Sequence, residues 1–87
     1  MKRIFPKINA EKYTAYDQLE HFKSELLEVV ERIDQGDFNG IVGEVLDVQH
    51  SAETFLTLAE ERHGVQVDKV RKAVVKKNRA RGYYAGT

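Results

Sequence analysis

Apolar residues along this chain recur at intervals of three and four, and no stretch alternates residue by residue. After Pro6 the pattern is therefore helical, with no strand expected. The first run is Leu19, Phe22, Leu26, Val29, Val30 and Ile33. It predicts a helix that opens near Asn9 or Thr14, either of which can cap it, and closes at Gly36. Leu27 lies off that stripe and implies a second packed face. The linker Gln35-Gly-Asp-Phe-Asn-Gly40 carries turn residues and a cap for a second helix, read from Ile41 to roughly His63 with Gly64 as its stop. A third helix starts near Gln66 or Asp68, uses Val67, Val70 and Val74 as its seam, and runs out near Gly82. The fold class expected is all-α: a helical hairpin plus a third helix, completed into a four-helix-type bundle by oligomerisation. Residues 1–87 form one domain, with 1–9 as an extended N-terminal segment and 82–87 as a flexible tail.

Length sharpens the need for a partner copy. A domain of 87 residues buries only about 60% of the surface its unfolded chain exposes. Cys is absent, so neither disulfides nor thiolate metal sites can add stability. No apolar run is long enough to span a membrane, and the start Met-Lys-Arg-Ile-Phe-Pro has no hydrophobic stretch of secretory length. A cytoplasmic protein is expected.

The net charge of zero conceals a segregation. All 14 acids lie between Glu11 and Asp68 beside only four bases, a net charge of −10 for that stretch. From Lys69 onward there are seven bases and no acid. An acidic middle beside a basic end suits an anion gripped through a divalent metal on one side and by cations on the other.

Six pairs of acids stand three residues apart, and their position around the helices separates them. Ile41-Val-Gly-Glu-Val-Leu-Asp-Val48 has two polar side chains only, Glu44 and Asp47, and Glu44 borders the apolar arc. Glu25 similarly borders Val29, with Glu28 one turn on. Carboxylates at this spacing have Cβ atoms about 5–6 Å apart, close enough to share one hard cation. An antiparallel hairpin lets the two pairs face each other, and four such groups repel unless a divalent ion or protons neutralise them. Mg²⁺ suits an all-oxygen site that also meets phosphate, with Mn²⁺ as a substitute. The plain alternative is a solvated acidic surface in which Glu28 pairs with Arg32.

The third helix changes character along its seam. Continuing Val67-Val70-Val74 reaches Lys77, Asn78 and Arg81, so the apolar face becomes cationic. That is either a frayed, solvated helix end or a clamp for polyphosphate. Tyr83 and Tyr84 follow the Gly82 hinge and can stack on a base or pack on a neighbouring subunit.

Glu25-x-x-Glu28, then Glu44-x-x-Asp47, then Lys77-Asn-x-x-Arg-Gly-Tyr-Tyr84 resembles the MazG-like all-α nucleoside triphosphate pyrophosphohydrolases. The resemblance runs from about Gln18 to Tyr84 and implies dimers or dimers of dimers. It implies Mg²⁺-dependent cleavage of a nucleoside triphosphate to monophosphate and pyrophosphate. Carried over, Glu25, Glu28, Glu44 and Asp47 are the metal ligands, and Lys77, Asn78 and Arg81 meet the phosphates; Glu28, farthest from the apolar arc, is the expected acceptor of the water's proton. His21, one turn before Glu25, and Tyr83 are further substrate contacts. The chain departs from the family pattern at Ser24, where many members have another Glu, and in having no Trp for base stacking.

Two competing functions remain. One is a related enzyme acting on phosphoribosyl-ATP, whose other substrate motifs are missing here. The other is a non-enzymatic dimeric helical module with a basic tail for nucleic acid, the less favoured partner. His50, three residues past Asp47, can orient a carboxylate or a water, or be an ordinary partly exposed histidine. His63 beside Gly64 places a favourable charge at a helix C-terminus.

Overall fold

The computed structural model describes residues 1–9, 11 and 13–86. Thr87, the last residue of the expected tail, lies outside the described residues. Three helices follow one another: α1 (Ala15–Gln35), α2 (Phe38–His63) and α3 (Val67–Ala80), with no strand among the described residues. The all-α expectation holds.

Local chemistry sets each boundary. Of the two candidate caps, Thr14 starts α1. Its hydroxyl accepts from the Asp17 backbone N–H at 3.0 Å, and the Asp17 carboxylate accepts from the Thr14 N–H at 2.9 Å. These bonds, the backbone one first, hold the Asp17 carboxyl below its ordinary pKa. Gly36 closes α1 in the left-handed conformation, φ 68°. Helix α2 then begins at Phe38 rather than Ile41, because Asp37 accepts from the Gly40 N–H at 3.0 Å and draws Asn39 and Gly40 into the first turn. A Cβ at Gly40 would meet the Asp37 carboxylate, which would then have to move and give up its bond to the Gly40 N–H. A cap contributes about 1 kcal/mol, comparable with what a helical glycine costs.

The antiparallel α1–α2 hairpin is joined by polar groups. Gln18 is buried and donates through Nε2 to the backbone oxygen and the hydroxyl of Ser51, both at 3.0 Å. Val67 is the one apolar side chain counted as buried among the described residues, while Leu26, Leu27, Val30 and Ile33 of α1 and Phe38, Val42 and Val45 of α2 are exposed. Helix α3 touches α2 and makes no contact with α1, leaving Val70 and Val74 of its seam exposed. The radius of gyration is 15.2 Å, against about 12 Å for a compact domain of this length. No helix among the described residues is long and apolar enough to cross a membrane.

The N-terminal residues run along α2 on the side of Glu53. That carboxylate is 9% exposed and accepts the Ile4 N–H at 2.8 Å on one oxygen and the Phe5 N–H at 3.0 Å on the other. The Phe5 ring stacks on His50 at 4.6 Å, and His50 Nε2 donates to the Pro6 carbonyl at 3.3 Å. His50 therefore serves the N-terminal segment and does not orient Asp47, correcting one sequence-based option. Burial pushes the Glu53 carboxyl up, but the two backbone N–H groups, with the His50 and Arg3 charges, outweigh it and leave its pKa below the usual value. A depressed folded-state pKa contributes stability above the unfolded-state value, and that contribution is lost as pH falls through the folded one. Acidification below the ordinary carboxylate range is thus expected to release residues 4 and 5. Glu53→Gln should do the same at neutral pH, since an amide offers one acceptor where two donors wait. Hydrogen exchange checks this: the Ile4 and Phe5 amides should exchange markedly faster in the variant, with α1 unchanged.

Candidate functional site

The hairpin brings together acids from both long helices. Glu25 and Glu28 on α1 and Glu44 on α2 each present a carboxylate oxygen within 4.8 Å of the others. Antiparallel packing explains the register, because the Gln18–Ser51 bond at one level sets Glu25 opposite the first turns of α2. The Glu25 and Glu44 side chains are each 15% exposed, and Oε2 of both is buried with no hydrogen-bond partner among the described residues. Glu28 is exposed. Its carboxyl titrates above its usual value, first through a hydrogen bond with Glu44 that favours the protonated form, then through the charges of Glu25 and Glu44.

A histidine and an arginine border the cluster. His21 Nε2 lies 3.4 Å from Glu25 Oε1, one helical turn earlier. Arg32 reaches Glu44 Oε1 with Nε at 3.5 Å and Asp37 Oδ2 with Nη1 at 3.4 Å. Arg32 thus pairs across the hairpin and not with Glu28, the partner that the solvated-surface alternative assigned to it. Sequence reasoning missed it as a site residue. The available signal was its spacing, seven residues after Glu25 and so on the same face of α1.

Asp47 lies one turn beyond Glu44 and is exposed, outside the group of three. Lys77 and Asn78 in α3 and Arg81 just after it belong to an arm with no contact to α1. The Arg81 guanidinium lies 6.0 Å from the centre of the exposed Tyr83 ring. Within one chain, then, the acids assemble while the cations of α3 stay apart.

Two buried carboxylate oxygens without donors, beside a third carboxyl that titrates high, form an arrangement that a hard divalent cation would complete. The donor set is all oxygen, which suits Mg²⁺ or Mn²⁺. Fold and site together define a small all-α protein with three carboxylates gathered across a helical hairpin. The chain belongs to the MazG nucleotide pyrophosphohydrolase domain family, whose model matches residues 14–83. Enzymes of this family typically depend on a divalent metal. No curated protein and no solved structure matches the chain.

Proposed function

We propose that the protein hydrolyses nucleoside or deoxynucleoside triphosphates to the monophosphate and pyrophosphate. Glu25, Glu28, Glu44 and Asp47 hold Mg²⁺ or Mn²⁺ in this reading. The observation that carries it is the pair of donor-less buried oxygens on Glu25 and Glu44. A buried carboxylate oxygen without a donor is costly, and a cation removes that cost.

A bound divalent cation supplies charge neutralisation for phosphate oxygens and acidifies water. Glu28, the exposed member of the cluster, accepts the proton of the attacking water. The water oxygen bonds to the α-phosphorus, the bond from that phosphorus to the α–β bridging oxygen breaks, and pyrophosphate leaves. Lys77 and Arg81 neutralise charge on the leaving group, Asn78 donates to a phosphate oxygen, and His21 contacts the substrate beside Glu25. Assaying pyrophosphate release from a panel of triphosphates, phosphoribosyl-ATP included, with Mg²⁺ or Mn²⁺ tests the reading. Silence across the whole panel would end it.

The same reading makes the active form an oligomer in which α3 of one copy serves the acidic cluster of another. Its support is the exposed Val70–Val74 seam and the lack of contact between α3 and α1. Subunit mixing checks this. Glu44→Ala and Arg81→Ala should each be inactive alone. Exchanged together they should recover about a quarter of wild-type activity, because about half the dimers then carry one site free of both changes. Recovery of nothing would return Arg81 to its own chain.

A further inference from the structure

A cavity of about 490 Å³ lies between the N-terminal segment and the second half of α2, apart from the three clustered acids. We infer that it receives the nucleoside half of the substrate, an inference that rests on the hydrolase reading above. Its volume falls within the range of small-molecule sites.

Position along α2 comes first. At about 100° per residue, Thr54 and Leu58 in the cavity wall fall within about 20° of Asp47 around the helix. Thr54 is seven residues on from Asp47, about 10 Å along the axis. A nucleotide with its α-phosphate on the Asp47 side of the site, Asp47 being the ligand that the hydrolase reading adds to the three clustered acids, and its length parallel to α2 therefore brings ribose and base toward this space.

The chemistry of the wall fits a neutral heterocycle and not a polyanion. Pro6, Ile8 and Leu58 supply aliphatic surface for the flat faces of a base. Phosphate is disfavoured because Glu11, Glu53 and Glu61 share the wall and two of its three cations are engaged. Lys7 pairs with Glu61, and Arg62 donates to the backbone oxygens of Glu11 and Tyr13. Both oxygens of Glu53 already hold the Ile4 and Phe5 N–H groups, so Glu53 shapes the wall without offering itself to a ligand. The Thr54 and Thr57 hydroxyls donate to the His50 and Glu53 carbonyls, which leaves them as acceptors toward the cavity. Arg3 and Asn9 line the same space and supply donors. Donors and acceptors on an aliphatic slot are what a hydrogen-bonding base edge requires.

The test separates the nucleoside from the phosphates. The full chain is titrated with deoxynucleoside monophosphates and, separately, with pyrophosphate, in Mg²⁺, by calorimetry. Leu58→Trp, which fills the cavity, should weaken monophosphate binding at least about tenfold and leave pyrophosphate binding as in the wild type. In the unaltered protein the methyl resonances of Ile8, Thr54 and Leu58 should shift with monophosphate and stay still with pyrophosphate, a readout that needs no variant to fold. Resonances unmoved by a monophosphate that binds, or a folded variant that binds it normally, would put the nucleoside elsewhere and leave the hydrolase reading intact. If neither ligand binds the wild type, both fail together.

Discussion

Glu44→Gln is expected to abolish pyrophosphate release while making the metal-free protein more stable. The two effects have one cause. Glu44 Oε2 is buried without a hydrogen-bond partner, and the side chain sits among the Glu25 and Glu28 carboxylates. An amide of the same shape removes the charge, keeps an acceptor for Arg32 Nε, and offers N–H donors to Glu25 and Glu28. Without divalent ions the variant should melt several degrees above the wild type. Adding Mg²⁺ should raise the wild-type midpoint, since a ligand bound only to the folded state stabilises it, and leave the variant unmoved. Activity should fall by at least about 100-fold, because losing a direct ligand costs more than losing one of its supports. Melting curves with and without Mg²⁺, run beside the pyrophosphate assay, check all three outcomes. A wild-type midpoint indifferent to Mg²⁺ would remove the cation from the account.

Val30→Lys should have an effect of similar size by a different route. Val30 is 54% exposed in the single chain and shares its side of α1 with Leu19, Leu26 and Ile33, which are also exposed. If that chain were the folded unit, a lysine there would change stability by no more than about 0.5 kcal/mol, and its helix propensity would favour it. If the face is instead buried against a second copy, the change removes about 1.5–3 kcal/mol of apolar burial at each occurrence and introduces an unpaired charge. A symmetric interface feels it twice. The expected result is a protein that sediments as a monomer and has lost most of its helical circular dichroism at working concentration. The wild type should show a midpoint that rises with concentration. A fully folded, active Val30→Lys monomer would show that the exposed stripe covers nothing.

Periodicity made the helices legible. The three-and-four spacing of Leu19, Phe22, Leu26 and Val29 and the stops at Gly36 and Gly64 reappear as α1 and α2, each with a left-handed glycine at its C-terminal end. The start of α2 was read three residues late, since Asn39 and Gly40 look like turn residues until Asp37 is seen taking the Gly40 N–H. The acids were partly legible. Glu25 and Glu44 stood out by bordering the apolar arc, and that is where the unpartnered oxygens occur. The i, i+4 rule offers Arg32 to Glu28, the pairing of the solvated-surface alternative, but the hairpin gives it Glu44 and Asp37 instead. Glu53 gave no signal at all, because its partners are backbone N–H groups nearly fifty residues away.

What the residues settle alone is whatever depends on neighbours within a turn or two: helix, cap, stop, and the acidic or basic character of each stretch. Packing decided the rest. Which carboxylates converge, which cation answers them, and the slot left beside α2 all depend on how distant segments meet, and pairwise spacing carries no information about such meetings.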